Sequence, residues 1–137
     1  MHPMLRRQQA VEATIQRFAG KTLAYGRDDC ARMAAFLVKR LGVKVRLTKM
    51  PRYGSAVGAA RALRALDCRD LAEVVDKAGL PRVAPSRAIM GDLFALPAPD
   101  DTVALHIALD HQTSFGLIDG VFQPGRVHQT ICAWRTL

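Results

Sequence analysis

The stretch YGRDDCARMAAFLVKRLG, residues 25–42, decides how the fold is read, because it sets one cysteine behind two acids at the start of an amphipathic segment. Met33, Ala34, Phe36, Leu37 and Leu41 form a broad apolar stripe at helical spacing, with Arg32, Lys39 and Arg40 outside it. A helix is therefore expected from about Asp29 to Leu41. Asp28 or Asp29 can cap its first turn by accepting backbone N–H bonds, and Gly42 stands where a left-handed C-terminal cap belongs. Cys30 then has two readings. At a helix start, unpaired amides and the positive end of the macrodipole favour a thiolate, hence a nucleophile. The neighbouring carboxylates oppose a second negative charge, and a cysteine so placed also serves as a small apolar core residue.

Working outward, Leu5, Val11, Ile15 and Phe18 mark one face of a helix over residues 5–18, ended by Gly20. After residue 42, VKVRLTKM (43–50) alternates and reads as a short strand or an extended connector before Pro51. SAVGAARALRAL (55–66) is a predicted helix capped by Ser55, and RDLAEVVDKAG (69–79) is another, ending at Gly79. LPRVAPSRAIMG (80–91) reads as a loop. Then the character changes: DLFALP, TVALHIALD, TSFGLID and RVHQTICAW are short, apolar or alternating, and separated by Pro, Gly, Asp or Gln. Helices followed by an antiparallel meander make an α+β domain with its sheet at the C-terminal end, and the 137 residues are read as a single domain.

The composition narrows the function classes. No apolar run approaches the ~20 residues of a membrane span. The basic, polar N-terminus lacks the apolar core of a signal peptide, so the chain is expected to stay in the cytoplasm unless an assembly carries it out. Cys30, Cys68 and Cys132 are too widely spaced for a disulfide framework or a zinc pattern; reduced thiols, no metal and no cofactor are expected. The net charge of +8 is concentrated: residues 1–52 hold 12 Lys and Arg against 3 Asp and Glu, and residues 53–137 hold 8 against 9. Such a half suits a polyanionic or acidic partner or a solvated basic face, and 15 of the 20 cations are Arg, which favours bidentate pairing at protein interfaces. With aromatics at 6 %, stacking-based readout of nucleic acid has little support.

A thiolate at Cys30 would need a general base, and an imidazole on a facing strand is the usual supplier. Of the four histidines, His2 lies near the N-terminus, His111 at the tip of a predicted hairpin and His128 after a PGR loop; His106 sits mid-strand among apolar residues. His106 is thus either a core histidine bonded to backbone or the partner that faces the start of the Cys30 helix. With a turn around Asp110–Gln112, it is expected opposite Leu117. Gly91 reads as permitting a tight turn, Asp92 as bonding that turn, Cys68 and Cys132 as packing residues, and Trp134 as the anchor of the closing strand.

Taken in order, the Cys30 helix start, a helical middle, GDLFAL and ALHIAL resemble the NlpC-like papain-fold cell-wall peptidases. The closer resemblance is to a small family of phage-encoded NlpC-like proteins from tail-gene clusters, carried by Tyr25, Gly26, Arg27, Asp29 and Cys30, then Gly91 and Asp92, then Ala133, Trp134 and Arg135. The resemblance implies a papain-like, NlpC-type α+β fold with N-terminal helices packed on a small C-terminal antiparallel sheet. It implies Cys30 as nucleophile and His106 as general base, Asp119 as the remaining candidate for the third member, and Tyr25 and Asp29 lining or bracing a substrate site. In a second register, Ala104 takes the histidine's position and the site is dead. The function expected is a phage tail-tip or baseplate component that has other tail proteins as partners and resides in the virion. Two alternatives stand beside it: an active peptidase cutting peptidoglycan, and a basic nucleic-acid-associated protein.

Overall fold

The structure, a computed structural model, describes residues 2–45, 47 and 52–137. Among the described residues four helices, α1 (Pro3–Phe18), α2 (Cys30–Leu41), α3 (Ala56–Ala65) and α4 (Leu71–Ala78), precede six strands. The strands are β1 (Arg82–Val83), β2 (Leu93–Ala98), β3 (Thr102–Ala108), β4 (Thr113–Ile118), β5 (Val121–Arg126) and β6 (Cys132–Trp134). They form one antiparallel sheet in the order β1-β6-β2-β3-β4-β5. The class is α+β, with the sheet built from the C-terminal part of the chain.

The helix ends follow local chemistry. The Asp29 side chain accepts from Arg32 N–H at 2.8 Å and caps α2; Gly42, at φ 75°, closes it. Ser55 and Asp70 cap α3 and α4 in the same way, through Gly58 N–H at 3.0 Å and Glu73 N–H at 3.0 Å. The His2 ring accepts from Met4 N–H at 3.1 Å and caps α1.

One face of the sheet carries the main core. Ala10, Val11 and Phe18 of α1 and Met33, Ala34 and Leu37 of α2 pack with Leu93, Ala95, Leu105 and Ile107 of the central strands. Trp134 is fully buried in the same cluster, and its Nε1 donates to Asp76 Oδ1 at 2.9 Å. The opposite face is a smaller cluster in which Phe94, Ala108 and Ala133 meet Ala88.

Several expectations need correction. The buried stripe of α1 is Arg7, Ala10, Val11, Thr14 and Phe18; Leu5 is 45 % exposed, since the helix turns Arg7 inward to meet a buried carboxylate. The segment 80–91, read as a loop, contributes β1 and a 3-10 turn at Pro85–Arg87. VFQPGR forms β5 despite Pro124, which is tolerated because the strand lies at the sheet's edge. In RVHQTICAW only Cys132–Trp134 is strand beyond Arg126, which closes β5. Of the stretch 43–50, positions 46 and 48–50 lie outside the described residues; Val43, Lys44 and Val45 belong to no strand, and Leu47 is buried.

Both margins of the sheet are occupied or brief. Along β5, Gly20 N–H donates to Phe122 O and Phe122 N–H to Lys21 O, both at 2.9 Å, and Leu23 N–H donates to Gly120 O at 3.1 Å. At the other margin, β1 is two residues long, between Pro81 and Pro85.

Candidate functional site

Cys30 is the first residue of α2, and the segment before it is tightly held. Asp29, 4 % exposed, accepts from Gly26 N–H at 2.7 Å through Oδ2 while Oδ1 caps the helix. Gly26 has φ +82°, and a Cβ there would lie 1.9 Å from the main-chain oxygen of Tyr53. The Asp29 carboxylate also stands near enough to the Tyr53 hydroxyl to act on its ionisation. The Arg32 guanidinium lies 5.2 Å from the Tyr53 ring centroid. Burial, together with the Asp29 charge and hydrogen bond, raises the Tyr53 pKa. Asp29 is therefore a brace of the helix mouth, and Tyr53 stands beside it.

Cys30 is partly exposed as a residue, yet enough protein packs round its thiol that burial pushes the pKa to about 11. The Leu105 amide of β3 and the amides of Cys30 and Ala31 favour the thiolate, and the Asp29 charge opposes it. Desolvation outweighs those amides.

The strand that meets Cys30 does not turn His106 toward it. In the β2–β3 ladder Leu93 pairs with Ile107 and Ala95 with Leu105, all on the helix-packed face, whereas Phe94 pairs with His106. Alternation along a strand thus sends the His106 ring to the far face, with Phe94, Ala108 and Ala133. The β3–β4 ladder pairs Ile107 with Phe115 and Ala108 with Ser114; one step further the ring lies on Gly116, where a Cβ would sit 2.6 Å from ring carbons. Gly116, not Leu117, is the residue opposite, because the hairpin closes with an Asp110 Asx turn that accepts from Gln112 and Thr113 N–H at 2.7 and 2.8 Å. His106 Nδ1 is 2.9 Å from Ser114 Oγ, a hydroxyl that can donate to or accept from that nitrogen. Burial lowers the His106 pKa to about 4.

The remaining expected site residues are elsewhere. Asp119 is exposed, at φ 53°, in the two-residue Asp-Gly turn joining β4 and β5. Tyr25 is 41 % exposed in the turn before Asp28. His111 and His128 are exposed. Of the set Cys30, His106, Asp119, Tyr25 and Asp29, only Cys30 and Asp29 share the helix mouth. Tyr53 had no pattern of its own in the sequence; the signal for it is Gly26, a glycine required because another main chain passes over it.

Gly91 and Asp92 meet Arg135, from the far end of the sheet region, in one largely buried cluster. Asp92 Oδ1 accepts from Arg7 Nη1 at 2.9 Å and Thr136 N–H at 3.2 Å; Oδ2 accepts from Arg135 Nε and Ile89 N–H, each at 3.0 Å. Arg7 also donates to the Met90 and Leu137 carbonyls at 2.8 Å. Gly91, at φ +91°, leaves the Arg7 side chain 3.4 Å from where a Cβ would be. This cluster ties α1 to β2 and β6 and holds no thiol. Among the described residues no three His, Cys, Asp or Glu side chains gather as a metal site would, and no helix is long and apolar enough to cross a membrane.

Gly26→Ala is expected to destabilise the protein by about 1–3 kcal/mol through left-handed strain and overlap with Tyr53. It is also expected to speed alkylation of Cys30, read together by denaturant titration and mass spectrometry; unchanged labelling would mean that Tyr53 does not cover the mouth.

No curated protein and no solved structure matches the chain. A family described as a domain of unknown function (DUF6950) matches residues 4–136, nearly its whole length, and the chain belongs to that family.

Proposed function

We propose that this protein is a papain-like, NlpC-type module that serves as a structural component of a phage tail tip or baseplate, with the scaffold kept and the hydrolytic chemistry lost. Support for the scaffold comes from a cysteine opening a helix that packs on an antiparallel sheet, and from the Gly-Asp and Ala-Trp-Arg motifs converging on one buried cluster. Support for an assembly role comes from the order of those motifs, which resembles proteins of tail-gene clusters, and from the Arg-rich first half.

One observation carries the loss of chemistry: the Cys30 thiol is met by a strand amide, while the imidazole of the neighbouring residue faces the other side of the sheet. A thiol with a pKa of about 11 holds about one thiolate in ten thousand at pH 7, and the His106 imidazole, turned to the other face, does not raise that fraction.

Iodoacetamide at pH 7 is therefore expected to label Cys30 at least about tenfold more slowly in the folded protein than in the unfolded chain. Peptidoglycan digests are expected to release no muropeptides above a Cys30→Ala control. Fast, selective labelling of Cys30 with Cys30-dependent muropeptide release would restore the peptidase. The assembly role is tested separately: in a phage carrying this gene, its interruption is expected to give particles with incomplete or non-infectious tails. Normal, infectious particles would remove that role.

A further inference from the structure

The outer side of α3 lacks what a solvated helix surface needs. Its ten residues, AVGAARALRA, contain no acid and no uncharged polar side chain. Ala62 is the one buried residue of the helix, with Leu63 and Leu66 packed partly against the core. Ala56, Val57, Ala60, Arg61 and Arg64 are exposed, Val57 by 62 %. A surface helix ordinarily sets polar residues opposite its buried stripe, and a helix this short gains little from propensity alone. The presence of Arg without Lys or acid is a feature shared with protein interfaces, although the Ala content is not.

The charges say what chemistry fits there. Arg7, Arg17, Arg27, Arg69, Arg82 and Arg135 each lie within 4 Å of a carboxylate. Among the described side chains Arg61 and Arg64 have no such neighbour, a state they share with Arg6, Arg32, Arg40, Arg87 and Arg126, but they alone of these stand together on one apolar helix face. Three residues apart, Arg61 and Arg64 project from the same side of the helix, with Val57 one turn before Arg61. Beside them is an open depression of about 390 Å³ lined by Ala60, Leu63, Arg64, Asp67, Cys68 and Arg69.

We infer that the outer face of α3, with this depression, docks an amphipathic helix of a partner protein whose small apolar stripe is flanked by carboxylates. Ala and Val allow the two helices to approach closely, and the carboxylates pair Arg61 and Arg64. A second copy of this chain would oppose like charges across the face. A nucleic acid would find no aromatic ring among the helix's residues on which to stack. The inference rests on the assembly reading only for the existence of a partner.

The test uses fluorescence anisotropy with a synthetic amphipathic helix bearing Glu one turn apart beside an Ala/Leu stripe, a scrambled peptide of the same composition, and a single-stranded DNA. The ordered peptide is expected to bind at least about tenfold more tightly than the scramble or the DNA. Arg61→Glu with Arg64→Glu, and separately Val57→Glu, are each expected to weaken it by at least about tenfold with the melting temperature unchanged. Arg61→Gln with Arg64→Gln replaces the charge reversal if that variant melts early. Equal binding of the scramble, indifference to all the variants, tighter binding of the DNA, or self-association abolished by Val57→Glu would each overturn the proposal. The assay contains neither tails nor peptidoglycan, so its failure leaves the particle test above to stand or fall separately.

Discussion

Asp92→Ala is expected to lower the stability of the folded protein by about 3–5 kcal/mol, the cost of leaving a buried charge without its partner. Asp92 is fully buried and accepts four hydrogen bonds, from Arg7, Arg135 and two backbone amides. Its removal strands the Arg7 guanidinium, itself 2 % exposed, with donors that water cannot reach. For a chain of this size that is roughly 10–20 °C in melting temperature, measured by thermal denaturation followed by circular dichroism. Arg7→Met combined with Asp92→Leu is expected to recover part of the loss, since an apolar pair removes both desolvated charges. Recovery stays partial because the Ile89 and Thr136 amides lose their acceptor. A shift within about 3 °C for Asp92→Ala would contradict the buried cluster.

The second large effect is a dependence on pH set by His106. Burial holds its folded pKa at about 4, below the 6.5 of a solvated imidazole, so the folded state resists protonation. Above pH 6.5 both states are neutral there and the group adds no slope. As pH falls from 6.5 toward 4 the unfolded chain takes up a proton that the folded chain does not, and stability drops by about 3 kcal/mol before levelling off. Asp28 and Asp76 act in a lower window. Burial opposes ionisation of Asp28, but Arg17 outweighs it; the Arg82 hydrogen bond leads for Asp76. Both pKa values fall below 3.8, so their stabilisation disappears only as pH drops beneath the carboxylate range. Denaturation midpoints measured from pH 7.5 to 4.5 are expected to slope in the native protein and to flatten in His106→Gln. A His106→Gln profile parallel to the native one would mean that the ring is solvated.

Much of the architecture could be read directly. The caps at Asp29, Ser55 and Gly42 follow from short-range chemistry, and the DLFALP and TVALHIALD strands show alternation. What could not be read depends on distant parts of the chain. Arg7 looks like an ordinary outward cation until Asp92, 85 residues later, draws it inside. The functional reading turned on strand parity. A histidine one step after Leu105 is adjacent in sequence to the residue touching Cys30, and for that reason faces the other way. Gly116 carried the clue: a glycine inside a strand marks the close approach of another group, here the His106 ring.

The segment that follows α1 lies against the start of β5 and takes up the outward main-chain bonds of Phe122, Pro124 offers no N–H beyond it, and the opposite margin ends in a two-residue strand between prolines. A sheet whose margins are part covered, interrupted by proline or cut short is a poor template for cross-chain zippering. Copies of this protein crowded side by side in an assembly can therefore remain discrete bodies, recognised through the relief of their side chains rather than fused by shared backbone ladders.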